Sequence, residues 1–298
     1  MDKIASVCEE YGTEFLRETS VAPYTTFKIG GKCNIVKVNG TAVLYRVMNR
    51  CNELGLPYHI LGRGSNVLIS DDGLDGVVLL ISCDFGKIDV DGDTLKCQAG
   101  AKLSDVCKAA AMHSLTGLEF AYGIPGAAGG ALCMNAGAYG GEMSQVVESC
   151  SYITADNREE QRMETADMDL GYRHSTFTNQ ERVITKVRFR LTRSDKSAIK
   201  ARMDEITAAR LAKQPLDFPS AGSVFKRPEN HFAAKLIDDC GLKGRTIGGA
   251  KVSDKHAGFI VNTGGATFRD VTALIEFVRG EVLAQTGILL ETEVKIWK

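Results

Sequence analysis

The sequence has almost no net charge: 36 Lys and Arg residues against 37 Asp and Glu leave −1 at pH 7. That balance excludes a general nucleic-acid or membrane-surface binder, which needs a broad basic face, and leaves room only for a local basic pocket. No run approaches 18 apolar residues, so no membrane-spanning helix is expected. The opening residues, MDKIASVCEEYG, lack the apolar centre of a secretory signal. Nine cysteines are scattered along the chain without a single C-x-x-C pair. A clustered metal site and a disulfide framework are thereby excluded, no metal is expected, and an odd number of thiols suits a reducing cytoplasm. Internal repeats and low-complexity tracts are also lacking.

What is present reads as a globular enzyme. The 298 residues suffice for two or three domains, and 44% hydrophobic with 24% charged residues is ordinary for a soluble fold. Residues 41–55 place Val43, Leu44, Val47, Met48, Cys51 and Leu54 on one helical face, with Gly55 as the stop. Short apolar runs at 58–61, 67–70 and 77–81 predict strands. A helix is expected over 104–114 with Ser104 as N-cap. In 183–191, Val187, Phe189 and Leu191 alternate with Lys186, Arg188 and Arg190, a strand with one wet face. The spacing of Ile199, Met203 and Ile206 predicts a helix over 197–213 that stops before Pro215 and leads into a further domain. Thr267 with Asp270 predicts a capping box, and a closing strand is expected near 288–296. Helices and strands mix without a regular βαβ rhythm, so the fold class is α+β.

The most informative stretch is 118–142, LEFAYGIPGAAGGALCMNAGAYGGE. Seven glycines lie between Gly123 and Gly141, which argues against a packed helix because each forfeits about 1 kcal/mol relative to alanine. Two readings stay open: tight turns against a sheet, or a wall of exposed peptide groups against a flat, phosphate-bearing cofactor. A second glycine turn, Gly62-Arg63-Gly64-Ser65-Asn66, is not a dinucleotide fingerprint. Val67 stands where the third glycine of G-x-G-x-x-G belongs, and a strand follows where a helix should. Its backbone amides and polar side chains suit a phosphate, although an ordinary hairpin turn remains the alternative.

With both turns in view, the chain resembles the UDP-N-acetylenolpyruvoylglucosamine reductases, flavin enzymes of peptidoglycan precursor synthesis. The resemblance is carried in collinear order by TTFKIGG (25–31), LGRGSN (61–66), GLEFAYGIPGAAGGALCMNAGAYGGE (117–142), GYRHSTF (171–177), PSAGSVFKRP (219–228), GLKGRTIGGAKVSDKHAGFIVN (241–262) and LLETEV (289–294). It implies an FAD-binding fold of the vanillyl-alcohol-oxidase type in two subdomains, 1–75 and 76–196, followed by a substrate-binding domain, 197–298. The short separation between Phe177 and Val183 matches the sub-type without an added tyrosine loop. Thr25 departs from the asparagine usual before Thr-Phe.

The resemblance further implies reduction of UDP-N-acetylglucosamine enolpyruvate to UDP-N-acetylmuramate, with NADPH as co-substrate and FAD between them. Charge that builds beside the substrate carboxylate needs a cation and a proton donor. By resemblance Ser223 is the donor, Arg173 pairs with the carboxylate, and Glu293 lies near the reacting carbon. Glu291 would share its strand face if the strand were regular. Lys213, Lys243 and Arg227 are candidates for the uridine diphosphate and carboxylate end, with Arg227 standing where part of the family has asparagine, and His256 for a substrate-lining position. For FAD the candidates are Gly62, Arg63, Gly64, Ser65 and Asn66 at the pyrophosphate. Ile124, Pro125, Gly126, Gly129, Gly130, Asn135 and Gly137 would line the ring system, with Asn135 offering a donor and an acceptor or else holding a turn. None of His59, His113, His174, His231 or His256 lies in an attachment motif, so FAD is expected to be non-covalent. The expected enzyme is a cytoplasmic monomer.

Plainer readings stand beside each residue. A serine next to glycine is commonly a turn residue, an arginine a surface ion pair, a glutamate an exposed strand position. Lys213 suits a helix C-terminus, Lys243 a solvated turn, and a lone histidine a structural role. Two other functions also stay open: a flavin oxidase of the same superfold, and a non-enzymatic nucleotide-binding module.

Overall fold

The structure, a computed structural model, describes residues 1–298. The chain divides into two compact units and passes between them at 17/18, 33/34, 63/64, 74/75 and 210/211. One unit holds Met1–Arg17, Asn34–Arg63 and Asp75–Arg210. The other holds Glu18–Cys33, Gly64–Leu74 and Leu211–Lys298.

The first unit contains two larger sheets, beside two short two-stranded ones. In one, Val77–Ile81 lies between Lys32–Val38 and Tyr58–Leu61 and is parallel to both. All five residues of Val77–Ile81 are buried, which is why VVLLI reads as an unbroken apolar run rather than an alternating one. The connecting helix, Thr41–Glu53, buries the expected Val43, Leu44, Val47, Met48 and Cys51. Gly55 ends it in the left-handed region (φ 63°), with Gly55 N–H donating to Asn52 and Leu56 N–H to Cys51, a Schellman arrangement. The second sheet is antiparallel, in the order Gln161–Glu164, Val147–Ile153, Val183–Arg190, Thr94–Gln98, Ile88–Asp91. Val187 and Phe189 are fully buried on its core side, and Lys186 and Arg190 face water.

The helix expected from Ser104 begins one residue earlier, at Leu103. Lys102 is held extended by a bridge to Ala127, and Leu103 N–H donates to the Gly126 carbonyl. Ser104 therefore falls in the first turn, its hydroxyl beside Asp105, and caps nothing.

The second unit carries an antiparallel sheet in the order Ser220–Ser223, Phe259–Asn262, Ala250–Val252, Thr246–Ile247. The long helix Phe268–Thr286 contributes Val271, Leu274, Ile275, Val278 and Val282 to the core of this unit. The closing strand is shorter than expected: only Lys295–Trp297 pairs, in parallel with Val67–Ile69. Before it the chain bends at Val294 and makes a single bridge, Thr292 to Phe225.

The capping box forms as expected. Thr267 Oγ1 accepts the Asp270 N–H (3.1 Å), and the Asp270 carboxylate accepts the Thr267 N–H (3.0 Å) and the Gly249 N–H (3.2 Å). Asp270 thus ties the helix start to the sheet's turn as well as to the helix itself. These backbone donors hold its carboxyl below the usual carboxylate range. Thr267→Ala is expected to lower unfolding free energy by about 1 kcal/mol, and Thr267→Ser to retain most of it. Urea denaturation checks this through a lower midpoint at unchanged slope. A Thr267→Ala midpoint equal to the parent's would contradict the role of the cap.

Candidate active site

The first glycine turn follows the strand Tyr58–Leu61. Gly64 adopts φ 60°, and a Cβ there would lie 2.7 Å from Thr25 Cα, so only glycine fits. Thr26 directs both its N–H (3.0 Å) and its hydroxyl (3.2 Å) to the Gly64 carbonyl. Thr25 is buried, with its hydroxyl near the carbonyls of Ala22 and Ile29, so its departure from asparagine is accommodated locally. Asn66 donates Nδ2 to the Glu293 carbonyl (3.3 Å), and its own carbonyl accepts the Lys295 N–H (3.0 Å). Its side chain is thereby committed to the closing segment. Arg63 is exposed and Ser65 half-buried. A Cβ on Gly62 would meet no protein atom within 4 Å.

The second stretch corrects one expectation. A six-residue helix, Ala128–Cys133, lies within the glycine wall despite Gly129 and Gly130. The reason is packing: a Cβ on Gly129 would stand 2.8 Å from Ala99 Cβ, and the Gly129 N–H donates to Ala99 (2.9 Å). Gly137 and Gly141 are similarly crowded, by Glu142 and by the Phe120 ring. Gly130 differs: it is exposed, and its missing Cβ would touch nothing within 4 Å. The tight-packing reading therefore holds at Gly129, Gly137 and Gly141, and packing gives no reason for glycine at 130. Ile124 and Gly126 are half-buried, and Pro125 is exposed.

Asn135 holds a turn. It is 1% exposed at φ 39°, donates Nδ2 to Gly171 (3.0 Å), and accepts the Ser144 N–H at Oδ1 (2.9 Å). Its amide is buried and bonded at both ends, the arrangement of the turn-holding alternative. Two further bonds join the same segments: Arg173 donates to Gly137 (3.2 Å) and Ser175 to Cys133 (2.6 Å). Arg173 itself adopts φ 56° in a turn closed between Gly171 and His174, its guanidinium 5.0 Å over Tyr172. Within this unit the structure brings Asn135, Gly137 and Arg173 together.

In the second unit Ser223 ends a bulged strand. Ser220 pairs with Val261 and Ser223 with Phe259, three steps along one strand against two along the other. Gly222, at φ 75°, absorbs the extra residue. Ser223 is half-buried between this bulge and the fully buried Val224. The Val224 carbonyl accepts the Glu293 N–H (2.7 Å), and the Glu293 carbonyl accepts Asn66 Nδ2, so Glu293 is bonded through its backbone to the residue after Ser223 and to the Asn66 side chain. Glu291 and Glu293 do not share a regular strand. Glu291 is exposed and paired with Lys226 (3.2 Å), whereas Glu293 is half-buried.

The remaining candidates occupy this unit at different depths. Lys243 pairs with Asp238 (2.6 Å). Arg227 is exposed, its guanidinium 4.6 Å over Phe232, and Lys213 is exposed at the end of its helix. His256 is half-buried, accepts the Gly258 N–H at Nδ1 (3.2 Å), and meets the Phe259 ring edge-on at 4.9 Å. Burial pushes its pKa below the ordinary histidine value, and the Lys243 charge adds to that.

Arg210 escaped the sequence reading. In Lys196–Lys213 the buried residues are Ile199, Met203, Ile206 and Arg210, a cation on the apolar stripe. That continuation of the spacing by a charged residue was the available signal. Arg210 is 6% exposed, 5.2 Å beneath the Tyr139 ring, and its Cδ would be 2.9 Å from a Cβ on Gly123. Desolvation lowers its pKa.

Comparison with known proteins identifies the family. Residues 34–160 match the family model described as "FAD binding domain", and residues 214–297 the model described as "UDP-N-acetylenolpyruvoylglucosamine reductase, C-terminal domain". The chain is 47% identical over 282 residues to the UDP-N-acetylenolpyruvoylglucosamine reductase of Clostridium botulinum strain Okra, covering 92% of this chain and 89% of the relative. It is 44% identical over 281 residues to the Clostridium beijerinckii reductase, covering 94% and 92%. The crystal structure of the Thermus caldophilus reductase superposes with a TM-score of 0.83 at 33% identity, over 96% of this chain and 100% of that one. The α+β fold with an FAD-binding part is thus established, and the chain belongs to the UDP-N-acetylenolpyruvoylglucosamine reductases, a family of flavin-dependent oxidoreductases.

Proposed function

We propose that this chain reduces UDP-N-acetylglucosamine enolpyruvate to UDP-N-acetylmuramate, with FAD bound non-covalently and NADPH as reductant. The observation that carries the reading is the bulge at Gly222. It sets a serine hydroxyl beside the backbone that bears a half-buried glutamate, on a chain whose family reduces an enolpyruvyl ether. The residues also suit the flavin. Gly62 and Gly130 lack side chains for no packing reason of the chain's own, which leaves their peptide groups open to a flat ligand.

Bound FAD would supply two-electron chemistry, taken from NADPH and given to the terminal carbon of the enolpyruvyl group. Ser223 donates a proton to the neighbouring carbon, where charge accumulates. A serine hydroxyl is a weak acid, so this role requires a strongly basic acceptor and a fixed position, and the bulge supports the second requirement. Arg173 pairs with the substrate carboxylate. Its guanidinium keeps its charge at any working pH and is already oriented by the Gly137 carbonyl. Glu293 stands near the reacting carbon. Lys213, Lys243 and Arg227 bind the uridine diphosphate end, with Asp238 holding Lys243 in place. Gly62, Arg63, Gly64 and Ser65 contact the pyrophosphate, and Ile124, Pro125, Gly126, Gly129, Gly130 and Gly137 line the ring system. Residues 1–75 and 76–196 serve the cofactor in this reading, and 197–298 the substrate. No helix is long and apolar enough to cross a membrane, and a cytoplasmic monomer suffices.

Ser223→Ala is expected to keep NADPH-driven bleaching of the flavin within about twofold and to slow product formation by roughly 10²–10⁴-fold. Anaerobic stopped-flow absorbance separates the two steps. Equal loss of both, or parental product formation, would refute the proton-donor role. Gly130→Ala probes the cofactor wall. Alanine should stabilise the apoprotein by roughly 0.5–1 kcal/mol through helix propensity, yet weaken FAD binding at least about tenfold. Fluorescence titration of FAD into the apoprotein decides it, and unchanged affinity would remove Gly130 from the site.

A further inference from the structure

The strand that pairs with Ser223 is reached through a turn whose geometry depends on one imidazole. In residues 253–259, Ser253 Oγ accepts the N–H groups of Lys255 (3.1 Å) and His256 (3.3 Å), and the His256 carbonyl accepts the Phe259 N–H (3.0 Å). Gly258 is buried, and its N–H donates to His256 Nδ1 (3.2 Å). The carbonyl of the same glycine accepts the Val224 N–H (2.9 Å), one residue beyond Ser223. Phe259, the partner of Ser223 in the ladder, has its ring edge-on to the His256 ring. A Cβ on Gly258 would lie 3.0 Å from His256 Cε1 and 3.2 Å from Nδ1, so the ring and the glycine backbone are in direct contact.

We propose that His256 is a positioning residue for Ser223, acting as the neutral ring that carries its hydrogen on Nε2 and accepts the Gly258 amide at Nδ1. An acceptor nitrogen bears no proton, so this contact selects the tautomer. A second proton on Nδ1 would set two donors against each other. Gly258 would lose a buried partner, and the Val224 bond on its carbonyl side would shift with it. Nδ1 is therefore unavailable to substrate, and only the Nε2 hydrogen remains to be offered.

The charges around the ring favour the neutral state. Lys243 lies close enough to oppose protonation, with its own charge tied to Asp238 (2.6 Å). Asp254 is tied to Lys251 (2.6 Å), Lys235 to Asp239 (2.9 Å), and Lys255 donates to the Leu211 carbonyl (2.6 Å). Burial is the larger influence in the same direction, and it outweighs a hydrogen bond to the His256 backbone that favours the charged ring. The folded ring thus titrates below the ordinary 6.5, and the unfolded chain binds the proton first. The contact is fully present above that ordinary value and is lost as pH falls toward the lower folded value.

The kinetic arm rests on Ser223 being the proton donor; the spectroscopic arm does not. Long-range ¹H–¹⁵N spectra of the histidine-labelled, FAD-loaded protein at neutral pH should show His256 Nδ1 unprotonated and Nε2 protonated. A protonated Nδ1 overturns the proposal. Asparagine places its carbonyl oxygen about where Nδ1 stands, whereas glutamine reaches only the Nε2 position. His256→Asn should hold product formation within about tenfold of the parent, and His256→Gln should lose about a hundredfold, the difference of one lost buried partner. The parent's product formation should fall as pH drops below the ordinary histidine range, and His256→Asn should lose that acid limb. Equal losses in the two variants, or an acid limb that survives in His256→Asn, overturn it. If Ser223→Ala leaves product formation intact, the functional reading fails, and the nitrogen spectrum still decides the tautomer.

Discussion

A loop made of glycine exposes peptide groups but cannot fix them, so their positions must be imposed from outside. In the first unit that task falls on the amide of Asn135, buried to 1% exposure and hydrogen-bonded at both ends, to the Gly171 carbonyl and the Ser144 amide. An amide is suited to it because it supplies donor and acceptor without a charge to desolvate. Its left-handed backbone reverses the chain directly after the short helix, and asparagine tolerates that region better than other non-glycine residues. Ser175 and Arg173 add bonds to Cys133 and Gly137, two residues to either side of Asn135. Three side-chain bonds between 133–137 and 171–175 offset ordering entropy that the glycines make unusually large. The same bonds set Arg173, so the wall and the arginine beside it are one construction.

The second unit solves a related problem with backbone alone. A hydroxyl expected to give up a proton must be held in place, and here the strand supplies the placement. Gly222 takes the left-handed conformation that lets an extra residue enter the ladder, and the fully buried Val224 anchors the far side. Val224 uses both backbone groups: its amide goes to Gly258 and its carbonyl receives Glu293. The serine between these fixed points has little freedom, and the backbones of Glu293 and Gly258 are both bonded to its neighbour Val224.

Much of this was legible in the sequence where periodicity and local chemistry decide the outcome. The stripe of Val43, Leu44, Val47, Met48 and Cys51, the stop at Gly55, the buried run at 77–81 and the capping box at Thr267 and Asp270 all follow from spacing and side-chain type. What was not legible depends on partners distant in sequence. Ser104 yields the helix start because Lys102 is held by Ala127, and nothing near Ser104 announces that bridge. The closing strand is cut short by the bend at Val294, so the two glutamates that regular pleating would align differ in burial. Residues 128–133 form a helix because Gly129 fits against Ala99, a contact that a local count of glycines cannot anticipate. Likewise a motif marked Asn135 as part of the cofactor wall, but only its two bonds distinguish a residue that shapes the wall from one that faces outward.

Arg210 is a buried cation at a position that packing alone does not favour. It continues the stripe of Ile199, Met203 and Ile206, a position where leucine or methionine would pack without any desolvation of charge. The guanidinium cannot escape that penalty by losing its proton, since arginine stays charged even where burial lowers its pKa. The Tyr139 ring at 5.2 Å recovers part of it through its negative face. Tyr139 is itself held in a left-handed turn of the glycine stretch, and its carbonyl accepts Arg202 from the same helix (3.5 Å). At the other end of the stretch, Gly123 has φ 88° and no room for a Cβ against Arg210. One buried cation therefore touches both ends of the wall, at 123 and at 139, and the absence of a side chain at Gly123 is what admits it. The arginine and the glycine are thus fitted to each other, and neither can be exchanged without disturbing the other.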